Sequence, residues 1–545
     1  MKIALLQLNV TVGDLAGNAR RIEQAARDSA KAGAQLAVSS ELALLGYPPR
    51  DLLLDRALLE QAQETTNRLA RSLDGVIALL LGTVEPNLAD RGRSVRNVVQ
   101  LLKDGNVRAG TTKVLLPTYD VFDEDRYFEP GAGSSPLQFA GTTLGLTICE
   151  DVWNDAQFWP HPRYHLDPVE VLAGQVQTLI NLSASPFHRG KQVLRERMLG
   201  HTARRHGKPL LYINQVGGND ELIFDGRSCA FDARGQLLGR AQAFREDVLL
   251  VELPSEGELV PGRAEPDLAG EEEVWQALVL GTRDYTHKCG FQQGIVALSG
   301  GIDSALTAAV VCAALGPANV VGVMMPSPYS SRGSLDDSAR LAGNLGIETM
   351  KLPIEPAMQA MEQILAPAFA GMQTDVTEEN IQARIRGTLV MALSNKFNRL
   401  VFITGNKSET AVGYNTLYGC TAGALAVIAD LYKGEVYRLA YWLNRNGEVI
   451  PEDTLSKPPS AELRPDQRDQ DTLPPYDVLD AILYGYIEEG HTSAELIEAG
   501  NDPQTVHRVL KLLRQAEFKR RQLPPALKVS ARAFGMGWRM PIARR

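Results

Sequence analysis

The first half of the chain alternates apolar runs with stretches in which apolar residues recur every three or four positions. The runs predict strands in KIALLQLNV, VIALLLGTV, NVVQLLKDG, TTLGLTICE, VQTLINLSA and KPLLYINQVGG. The three-to-four spacing predicts helices in ARRIEQAARDSAKAG and RERMLGHTARRHG. SCAFDARGQLLGRA predicts a hairpin that turns at Asp232 to Gly235. This alternation indicates an α/β domain over residues 1–253.

The composition changes at residues 254–271, which are rich in proline, glycine and glutamate and predict a linker. A second α/β pattern covers residues 272–545. Strands are predicted in GIVALS, VVGVMMP and LVFITGN, with helices in DSALTAAVVCAAL and LDDSARLAGNLG. Such alternation indicates a doubly wound parallel sheet, whose ligands bind at the carboxyl ends of the strands. Residues 450–476 are too rich in proline and charge for a core element, and they predict a long surface loop of the kind that often acts as a lid.

Composition and charge exclude several classes of protein. The 545 residues are 44% hydrophobic and 22% charged, which is ordinary for a globular protein. The net charge of −9 argues against a general nucleic-acid binder. No apolar run reaches the roughly 18 residues of a membrane span, and the N-terminus does not resemble a signal peptide. The five cysteines lie far apart without a C-x-x-C pair, which argues against zinc and disulfide frameworks. We therefore expect a cytoplasmic protein that binds neither nucleic acid nor membranes.

A glycine-rich turn joins the strand GIVALS to the helix that follows it. The turn reads SGGIDS, residues 299–304. Glycines allow a tight turn and close approach to a ligand, and a helix N-terminus offers unpaired N–H groups to a phosphate. A Walker A sequence, G-x-x-x-x-G-K-[ST], does not occur. The alternative is a turn that only begins a helix, but the complete hexapeptide between strand and helix favours a phosphate site.

This hexapeptide resembles the pyrophosphate loop, S-G-G-x-D-S, of the N-type ATP pyrophosphatases. The resemblance implies that the loop holds the β- and γ-phosphates of ATP as the leaving pyrophosphate. It also implies that a substrate oxygen attacks the α-phosphate and forms an adenylate. Asp303 can hold Mg²⁺ at this site.

Four further segments resemble the NAD synthetase family, and they span most of the second half. They read EENIQARIRG, FITGNKSETAVGY, KGEVYRLA and EFKRRQLPP. The resemblance implies that deamido-NAD contacts Asn380, Glu409 and Lys519, and that Mg²⁺ is held by Asp303 and Glu409. The implied ATP site comprises Leu298, Ser299, Gly300, Gly301, Ile302, Asp303, Ser304, Ala305 and Thr404. It further implies a homo-oligomer, at least a dimer, that pairs synthetase domains.

One position departs from the pattern of that family. The family commonly has an aspartate where this chain has Cys420, in LYGCTAGA. Loss of that charge predicts an altered nicotinate end of the dinucleotide pocket.

The first half contains three separated residues that suit amide hydrolysis. Cys149 ends the apolar strand in LTICEDVW, Glu41 follows the strand-like AQLAVSS, and Lys113 begins an extended piece. A free cysteine is more often a small core residue. However, a carboxylate can take the thiol proton, the thiolate can attack the amide carbon, and the ammonium can face the oxyanion. A nearby lysine also predicts a lowered pKa for the thiol.

These segments resemble the nitrilase, or carbon–nitrogen hydrolase, superfamily. The resemblance implies a four-layer α-β-β-α sandwich with a catalytic Glu41, Lys113 and Cys149. Glu124, in FDEDRYFEPG, matches the additional structural glutamate of the superfamily's catalytic set. Contacts to glutamine are implied for Tyr119, Ser185 and Lys191.

The two resemblances together imply one reaction. ATP would activate the nicotinate carboxylate of deamido-NAD as an acyl adenylate, and ammonia from glutamine would convert it to NAD. The other products would be AMP, pyrophosphate and glutamate, and Mg²⁺ would be the cofactor. The residues alone leave two alternatives open: another glutamine-fed adenylating ligase, or an amidohydrolase whose second half binds ATP as a regulator.

Overall fold

The computed structural model describes residues 1–253, 259–268 and 270–544. The chain forms two compact units, Met1–Leu268 and Ala269–Arg545. None of the helices in the described ranges is long and apolar enough to cross a membrane. Within the predicted linker, residues 254–258 and 269 lie outside the described residues. Residues 259–268 lie against the first unit, where the Arg240 N–H donates to the carbonyl of Arg263 at 3.0 Å.

The first unit is built mainly of strands, with helices inserted between them. Its strands are β1 Lys2–Gln7, β2 Leu36–Val38, β3 Ala78–Pro86, β4 Val95–Lys103, β5 Asn106–Thr112, β6 Leu137–Phe139, β7 Thr142–Ile148, β8 Thr178–Ser183, β9 Leu210–Asn214, β10 Val216–Asn219, β11 Leu222–Asp225, β12 Cys229–Phe231, β13 Leu237–Arg240 and β14 Asp247–Glu252. Its helices are α1 Leu15–Lys31, α2 Arg56–Ser72, α3 Pro168–Ala173 and α4 Lys191–His206. The predicted hairpin is confirmed, because β12 and β13 pair antiparallel.

Two six-stranded sheets within residues 1–253 form the centre of this unit, in the orders β14-β1-β2-β3-β4-β5 and β13-β12-β9-β8-β7-β6. Ile3 and Leu5 of β1 share one apolar core with Ile180 of the other sheet. The alternate residues of β1, Ala4 and Leu6, pack with α1 and α2 instead. Helices α3 and α4 cover the outer face of the second sheet. Because both faces of β1 are buried, its sequence is a continuous apolar run. These layers confirm the predicted α-β-β-α sandwich.

Parallel pairing places the candidate residues of the first unit at strand ends. Strands β1, β2 and β3 run parallel in one sheet, and β7, β8 and β9 run parallel in the other. Glu41 follows the end of β2, Cys149 follows β7 directly, and Ser185 follows β8. The carboxyl ends of these strands therefore present the side chains at one edge of each sheet.

The second unit contains a parallel sheet in the order β17-β16-β15-β18-β19. Its strands are β15 Gly294–Ala297, β16 Val320–Met324, β17 Glu348–Lys351, β18 Leu400–Ile403 and β19 Leu425–Ala426. Its helices are α5 Glu271–Lys288, α6 Ile302–Leu315, α7 Arg332–Leu345, α8 Glu355–Leu365, α9 Val376–Phe397, α10 Lys407–Val412, α11 Lys433–Leu443, α12 Glu452–Ser456, α13 Tyr476–Ile487, α14 Ser493–Glu498, α15 Pro503–Gln515 and α16 Glu517–Arg520.

Helices cover both faces of this parallel sheet. Ile295 packs in a core with Ile385 of α9. The next residue of the strand, Val296, is fully buried as well. Adjacent residues of a strand point to opposite faces, so both faces of β15 are covered. The predicted doubly wound sheet is confirmed. The prediction of a surface loop at residues 450–476 is wrong in part, because that segment contains α12 and buries Leu455 and Asp469.

Candidate active sites

The first unit holds a buried cluster of one lysine and two glutamates. The Lys113 ammonium donates to Glu41 Oε1 at 2.7 Å and to Glu124 Oε1 at 2.8 Å. Glu41 also accepts from Asn97 Nδ2 at 2.8 Å and from the N–H of Ala184 at 3.0 Å. The structure thus brings together three of the predicted residues from distant parts of the sequence. Their hydrogen bonds fix both carboxylates around the ammonium.

Cys149 opens a short 3₁₀ turn, Cys149–Val152, directly after β7. Its φ of 43° lies in the left-handed region, which is costly for a residue with a side chain and is found at functional sites. Asp151 stabilises the turn, because its carboxylate accepts from the N–H groups of Ile148, Val114 and Leu115 at 3.0, 3.1 and 2.8 Å. Asp151 therefore ties the cysteine turn to the segment that follows Lys113. The sequence offered no signal for this contact beyond an acid near the cysteine.

Electrostatics in this cluster differ from the prediction in one respect. Burial and the charge of Glu41 raise the pKa of the Cys149 thiol, and the opposing effect of Lys113 is smaller. Lys113 does lower the thiol pKa as predicted, but burial and Glu41 outweigh this effect, so the pKa rises overall. Burial also raises the pKa of Glu124 to about 7, against the effect of Lys113. Burial opposes the charge of Lys113, but Glu124 and Glu41 outweigh it and keep the lysine pKa above its usual range.

A buried carboxylate next to Cys149 was missed by the sequence reasoning. Glu150 is 4% exposed and accepts from the hydroxyl of Tyr119 at 3.0 Å through each of its oxygens. The Tyr164 hydroxyl donates to the same carboxylate at 3.2 Å. Burial raises the pKa of Glu150, whereas Lys113 and the tyrosine hydroxyls lower it. An acid directly after the proposed nucleophile is the signal that could have identified it.

The remaining predicted glutamine contacts lie between β8 and α4. Ser185 is 3% exposed, and its N–H donates to Asn214 Oδ1 at 2.8 Å. Lys191 is the first residue of α4, and its ammonium lies 5.7 Å from the centroid of the Trp153 ring. The Lys191 charge also acts on Glu150. Tyr119, Ser185 and Lys191 thus lie on segments next to the Cys149 turn, and their contact with glutamine stays a prediction.

The predicted pyrophosphate loop connects β15 to α6. Gly300 has a φ of 78°, and a Cβ at this position would lie 2.4 Å from the carbonyl oxygen of Ser334, so only glycine fits. The Ser299 hydroxyl donates to Ser304 Oγ at 3.1 Å, and the Ser304 hydroxyl donates to the carbonyl of Gly301 at 2.9 Å. These bonds hold the loop in shape at the N-terminus of α6.

Three residues of the predicted ATP set contribute apolar packing beneath this loop. Leu298, Ile302 and Ala305 are each 5% exposed or less. Their side chains belong to the core, so a contact with phosphate would come from their backbone N–H groups. Thr404 directly follows β18, the other neighbour of β15, and therefore lies at the same edge of the sheet.

Asp303 and Glu409 share a lysine that the sequence reasoning did not identify. The Lys433 ammonium lies 2.5 Å from Asp303 Oδ2 and 3.5 Å from Glu409 Oε1. Asn406 Nδ2 donates to the second oxygen of Asp303 at 3.0 Å. Burial and then the charge of Asp303 raise the pKa of Glu409 to about 8, although Lys433 opposes them. Lys433 begins the segment KGEVYRLA, so its motif was recognised but its partners were not.

The carboxylates at this position suit a cation that arrives with phosphate. No group of three or more His, Cys, Asp and Glu side chains that could hold a metal ion occurs among the described residues. Asp303 and Glu409 supply two carboxylates, and Mg²⁺ commonly takes one or two carboxylates together with substrate phosphates. Burial and then the charge of Asp303 raise the pKa of Glu409, and a bound cation would oppose both effects. The residues therefore fit Mg²⁺.

Two of the three predicted dinucleotide contacts, Asn380 and Lys519, bind to residues 413–420. Asn380 accepts from the Thr416 hydroxyl at 2.6 Å, and the Thr416 N–H donates to the sulfur of Cys420 at 3.0 Å. The Lys519 ammonium donates to the carbonyls of Gly413 and residue 415 at 2.8 and 2.7 Å. Cys420 thus caps a turn beside Asn380. The structure brings these residues into one region, and their contact with deamido-NAD stays a prediction.

Comparisons with known proteins cover both units. Residues 2–258 match the carbon-nitrogen hydrolase family model, and residues 274–524 match the NAD synthase model. The glutamine-dependent NAD(+) synthetase of Synechocystis is 50% identical over 99% of this chain and 98% of its own length. The Thermotoga maritima synthetase of the same name is 42% identical over 100% of this chain and 99% of its own length.

A solved structure agrees over the same length. The glutamine-dependent NAD+ synthetase from Acinetobacter baumannii, in complex with ADP, is 37% identical and covers 99% of this chain and 98% of its own, with a TM-score of 0.79. The two family models define a ligase that joins a carbon–nitrogen hydrolase unit to an NAD synthase unit. The chain belongs to the glutamine-dependent NAD(+) synthetase family, and it is an enzyme.

Proposed function

We propose that this enzyme converts deamido-NAD to NAD with ATP and takes the nitrogen from glutamine. One observation carries the proposal: a single chain combines the buried Glu41–Lys113–Cys149 site with a pyrophosphate loop beside Glu409. Membership of the family supports the same reaction. We also propose a cytoplasmic location, which is supported by the five cysteines, all of them free thiols.

Glutamine hydrolysis is proposed to begin with a protonated thiol, because the pKa of Cys149 is raised. Glu41 takes the proton as the sulfur attacks the side-chain amide carbon of glutamine, and Lys113 donates to the developing oxyanion. Glu41 then returns the proton to the departing ammonia, which leaves a glutamyl thioester on Cys149. A water molecule gives a proton to Glu41 and attacks the thioester, which releases glutamate. Glu41 returns this proton to the departing sulfur and restores the Cys149 thiol. Glu124 keeps the Lys113 ammonium in place.

Recognition of glutamine is assigned to opposite charges near the nucleophile. Glu150 is proposed to accept hydrogen bonds from the α-ammonium group, because its buried carboxylate is oriented by Tyr119 and Tyr164. Lys191 is proposed to bind the α-carboxylate, with Ser185 beside it. This arrangement distinguishes a free amino acid from a simple amide, since only the former carries both charges.

A Glu150→Gln variant tests this assignment. Its KM for glutamine should rise by about 10- to 100-fold, because a hydrogen bond to a charged group contributes about 1.5–3 kcal/mol. Steady-state rates with glutamine and with ammonium salts measure the effect, and the ammonium-driven rate should not change. Glu170→Gln serves as the matched control, since Glu170 is an exposed acid of α3. An unchanged KM for glutamine in Glu150→Gln would contradict the assignment.

The synthetase unit is proposed to work in two steps. The nicotinate carboxylate of deamido-NAD attacks the α-phosphate of ATP, while residues 299–304 bind the departing pyrophosphate through backbone N–H groups and hydroxyls. Thr404 and the backbone of Leu298, Ile302 and Ala305 complete the ATP contacts. Neutral ammonia then attacks the acyl adenylate, and AMP leaves as NAD forms. The adenylate is needed because a carboxylate is a poor acceptor for nitrogen.

The same site is proposed to hold Mg²⁺ through Asp303 and Glu409. When bound, Mg²⁺ would neutralise phosphate charge during the displacement. Lys433 bridges the two carboxylates and supplies a further positive charge next to the loop. This lysine keeps the two acids close together.

The dinucleotide is proposed to contact Asn380, Glu409 and Lys519. Asn380 and Lys519 are both anchored to residues 413–420, so their positions depend on that turn. Cys420 holds the turn through a sulfur that accepts from the Thr416 N–H, where the family's aspartate could accept the same bond. We propose that Cys420 keeps the shape of the turn but does not supply the negative charge that the family's aspartate would bring.

The domain boundaries remain those expected from the sequence. Residues 1–253 are proposed as the glutaminase domain and residues 272–545 as the synthetase domain, joined by residues 254–271. The division of the chain at Leu268 and the limits of the two family models support these boundaries.

A second copy of the chain is proposed to pair with the synthetase unit through α8 and α9. Large apolar side chains are exposed on these helices and on the segment between them: Met361, Ile364, Met372, Val376, Met391 and Phe397. Exposed apolar groups of this kind favour a protein interface. The resemblance to the NAD synthetase family implies that synthetase domains pair, which supports a second copy of the chain as the partner that covers this surface.

Charge placed in this surface should separate the copies. The double variant Ile364→Asp with Met391→Asp is expected to sediment as a smaller species than the wild-type enzyme. Leu88→Asp is the control, because Leu88 is 92% exposed in the other unit. Sedimentation of the wild type and both variants measures the effect. Equal sedimentation of a folded double variant and the wild type would contradict pairing at this surface.

The function as a whole is tested by product analysis. Incubation with deamido-NAD, ATP, Mg²⁺ and glutamine should give NAD and pyrophosphate in equal amounts. Pyrophosphate formation without dependence on deamido-NAD would favour a different adenylating ligase. Glutamate formation without any pyrophosphate would favour an amidohydrolase that ATP regulates.

A further inference from the structure

Arg386 is a partly buried cation to which the mechanism assigns no role. It lies in α9, and its Nε donates to the carbonyl of Met325 at 3.0 Å. Met325 directly follows β16, the strand next to β15, which leads into the pyrophosphate loop. Arg386 therefore lies at the carboxyl edge of the sheet. Among the described residues, no carboxylate forms an ion pair with its guanidinium.

The acid that acts on Arg386 is itself bound to the edge of the loop. Glu462 accepts from the hydroxyls of Ser331 and Ser334, both at 2.8 Å, at the first turn of α7. The backbone of Ser334 lies so close to Gly300 that a Cβ there would be 2.4 Å away. Ser334 thus lies against Gly300 and binds Glu462, whose charge acts on Arg386. These interactions relate Arg386 to the edge of the sheet where residues 299–304 would hold a phosphate.

Burial makes the positive charge of Arg386 costly. It lowers the pKa of Arg386 to about 10, and Glu462 offsets only part of the effect. A buried guanidinium is stabilised by an anion that accepts its hydrogen bonds. Phosphate suits this role, because two parallel N–H groups of arginine match two of its oxygens.

We propose that Arg386 is a phosphate-binding residue of the ATP site, whose terminal Nη groups donate to the phosphate oxygens that leave as pyrophosphate. This inference rests on the proposed function and adds a contact that the loop, Asp303 and Glu409 do not supply. Its Nε bond to Met325 fixes the direction of the side chain. The guanidinium stays with the leaving group when the α-phosphate is attacked, so its charge stabilises the departure of pyrophosphate.

Ammonium-driven NAD formation by the full-length enzyme tests the inference without involving glutamine hydrolysis. In Arg386→Gln the KM for ATP should rise about 10- to 100-fold, as expected for loss of a charge-assisted hydrogen bond. The KM for deamido-NAD should stay near the wild-type value, and inhibition by added pyrophosphate should weaken. Arg386→Lys should recover part of the loss, because it keeps the charge but not the two-pronged geometry. Arg340→Gln is the matched control, since Arg340 pairs with Glu448 on the exposed part of α7.

The outcomes separate this inference from the proposed function. Suppose that the wild-type enzyme forms NAD and that folded Arg386→Gln has an unchanged KM for ATP. This result overturns the inference about Arg386 and leaves the proposed function intact. A rise confined to the KM for deamido-NAD overturns the assignment to ATP. If Arg386→Gln does not fold, Arg386→Lys decides: a raised KM for ATP supports the inference, and an unchanged one contradicts it. If the wild-type enzyme forms no NAD from any nitrogen source, the proposed function fails instead.

Discussion

Replacement of Cys149 by alanine is expected to abolish NAD formation from glutamine while NAD formation from ammonium salts continues. Cys149 is the proposed nucleophile, and no thioester can form without its sulfur. The synthetase site needs only ammonia, and its loop and acids lie in the other unit. We expect a loss of at least about 10⁴-fold in the glutamine-driven rate, as for the loss of other covalent nucleophiles.

Two comparisons make this result specific. Cys229→Ala removes another fully buried thiol of the same unit, in β12, and should leave the glutamine-driven rate unchanged once folding is verified by a thermal melt. Lys113→Ala should lose about 10²–10³-fold, as is typical for loss of one group that stabilises an oxyanion. If folded Cys149→Ala used glutamine at the wild-type rate, the first unit would not be a thiol amidase.

Replacement of Asp303 by asparagine is expected to abolish NAD formation with either nitrogen source. The side chain keeps its shape and one oxygen, but it loses the charge that faces Lys433 and the proposed Mg²⁺. A loss of about 10²–10³-fold or more is expected, because stabilisation of the transferring phosphate depends on preorganised charge. Glutamine hydrolysis should continue, since Cys149 lies in the other unit. Paired assays of NAD and glutamate formation measure both activities.

The control for this variant is Asp336→Asn. Asp336 is an exposed acid of α7 that pairs with Arg332, so its replacement should leave both activities unchanged. Normal ammonium-driven NAD formation in folded Asp303→Asn would contradict the assignment of this residue.

The periodicity of apolar residues predicted two α/β domains and the doubly wound sheet of the second, whereas the four-layer sandwich of the first was predicted from its resemblance to the nitrilase superfamily. β1 and β15 are continuous apolar runs because both of their faces are buried, and the helices show their three-to-four spacing where one face is exposed. Residues 450–476 were predicted less well. Proline and charge indicate loops, yet Leu455 and Asp469 of this segment are buried by tertiary packing that local composition does not reveal.

The candidate sites were predictable only where residues occur in a recognisable local motif. Lys433 lies 130 residues from Asp303 in the sequence, so their contact required the folded chain. Burial shifts the pKa values of Glu150 and Arg386, and the residues that bury them come from other elements of the fold. The net rise in the pKa of Cys149 was not predicted for the same reason. The neighbouring lysine was anticipated, whereas the larger effect of burial was not.

The path of the glutamine amide nitrogen shows whether the two sites carry out one joint reaction. The wild-type enzyme is supplied with deamido-NAD, ATP, Mg²⁺ and glutamine labelled with ¹⁵N in its side-chain amide, and the NAD formed is analysed by mass spectrometry. We expect the label in the carboxamide of NAD, with pyrophosphate formed in equal amount. Cys149→Ala should form labelled NAD no faster than glutamine releases labelled ammonia without enzyme. Absence of the label from NAD, or absence of NAD while glutamine is hydrolysed, would contradict the joint reaction.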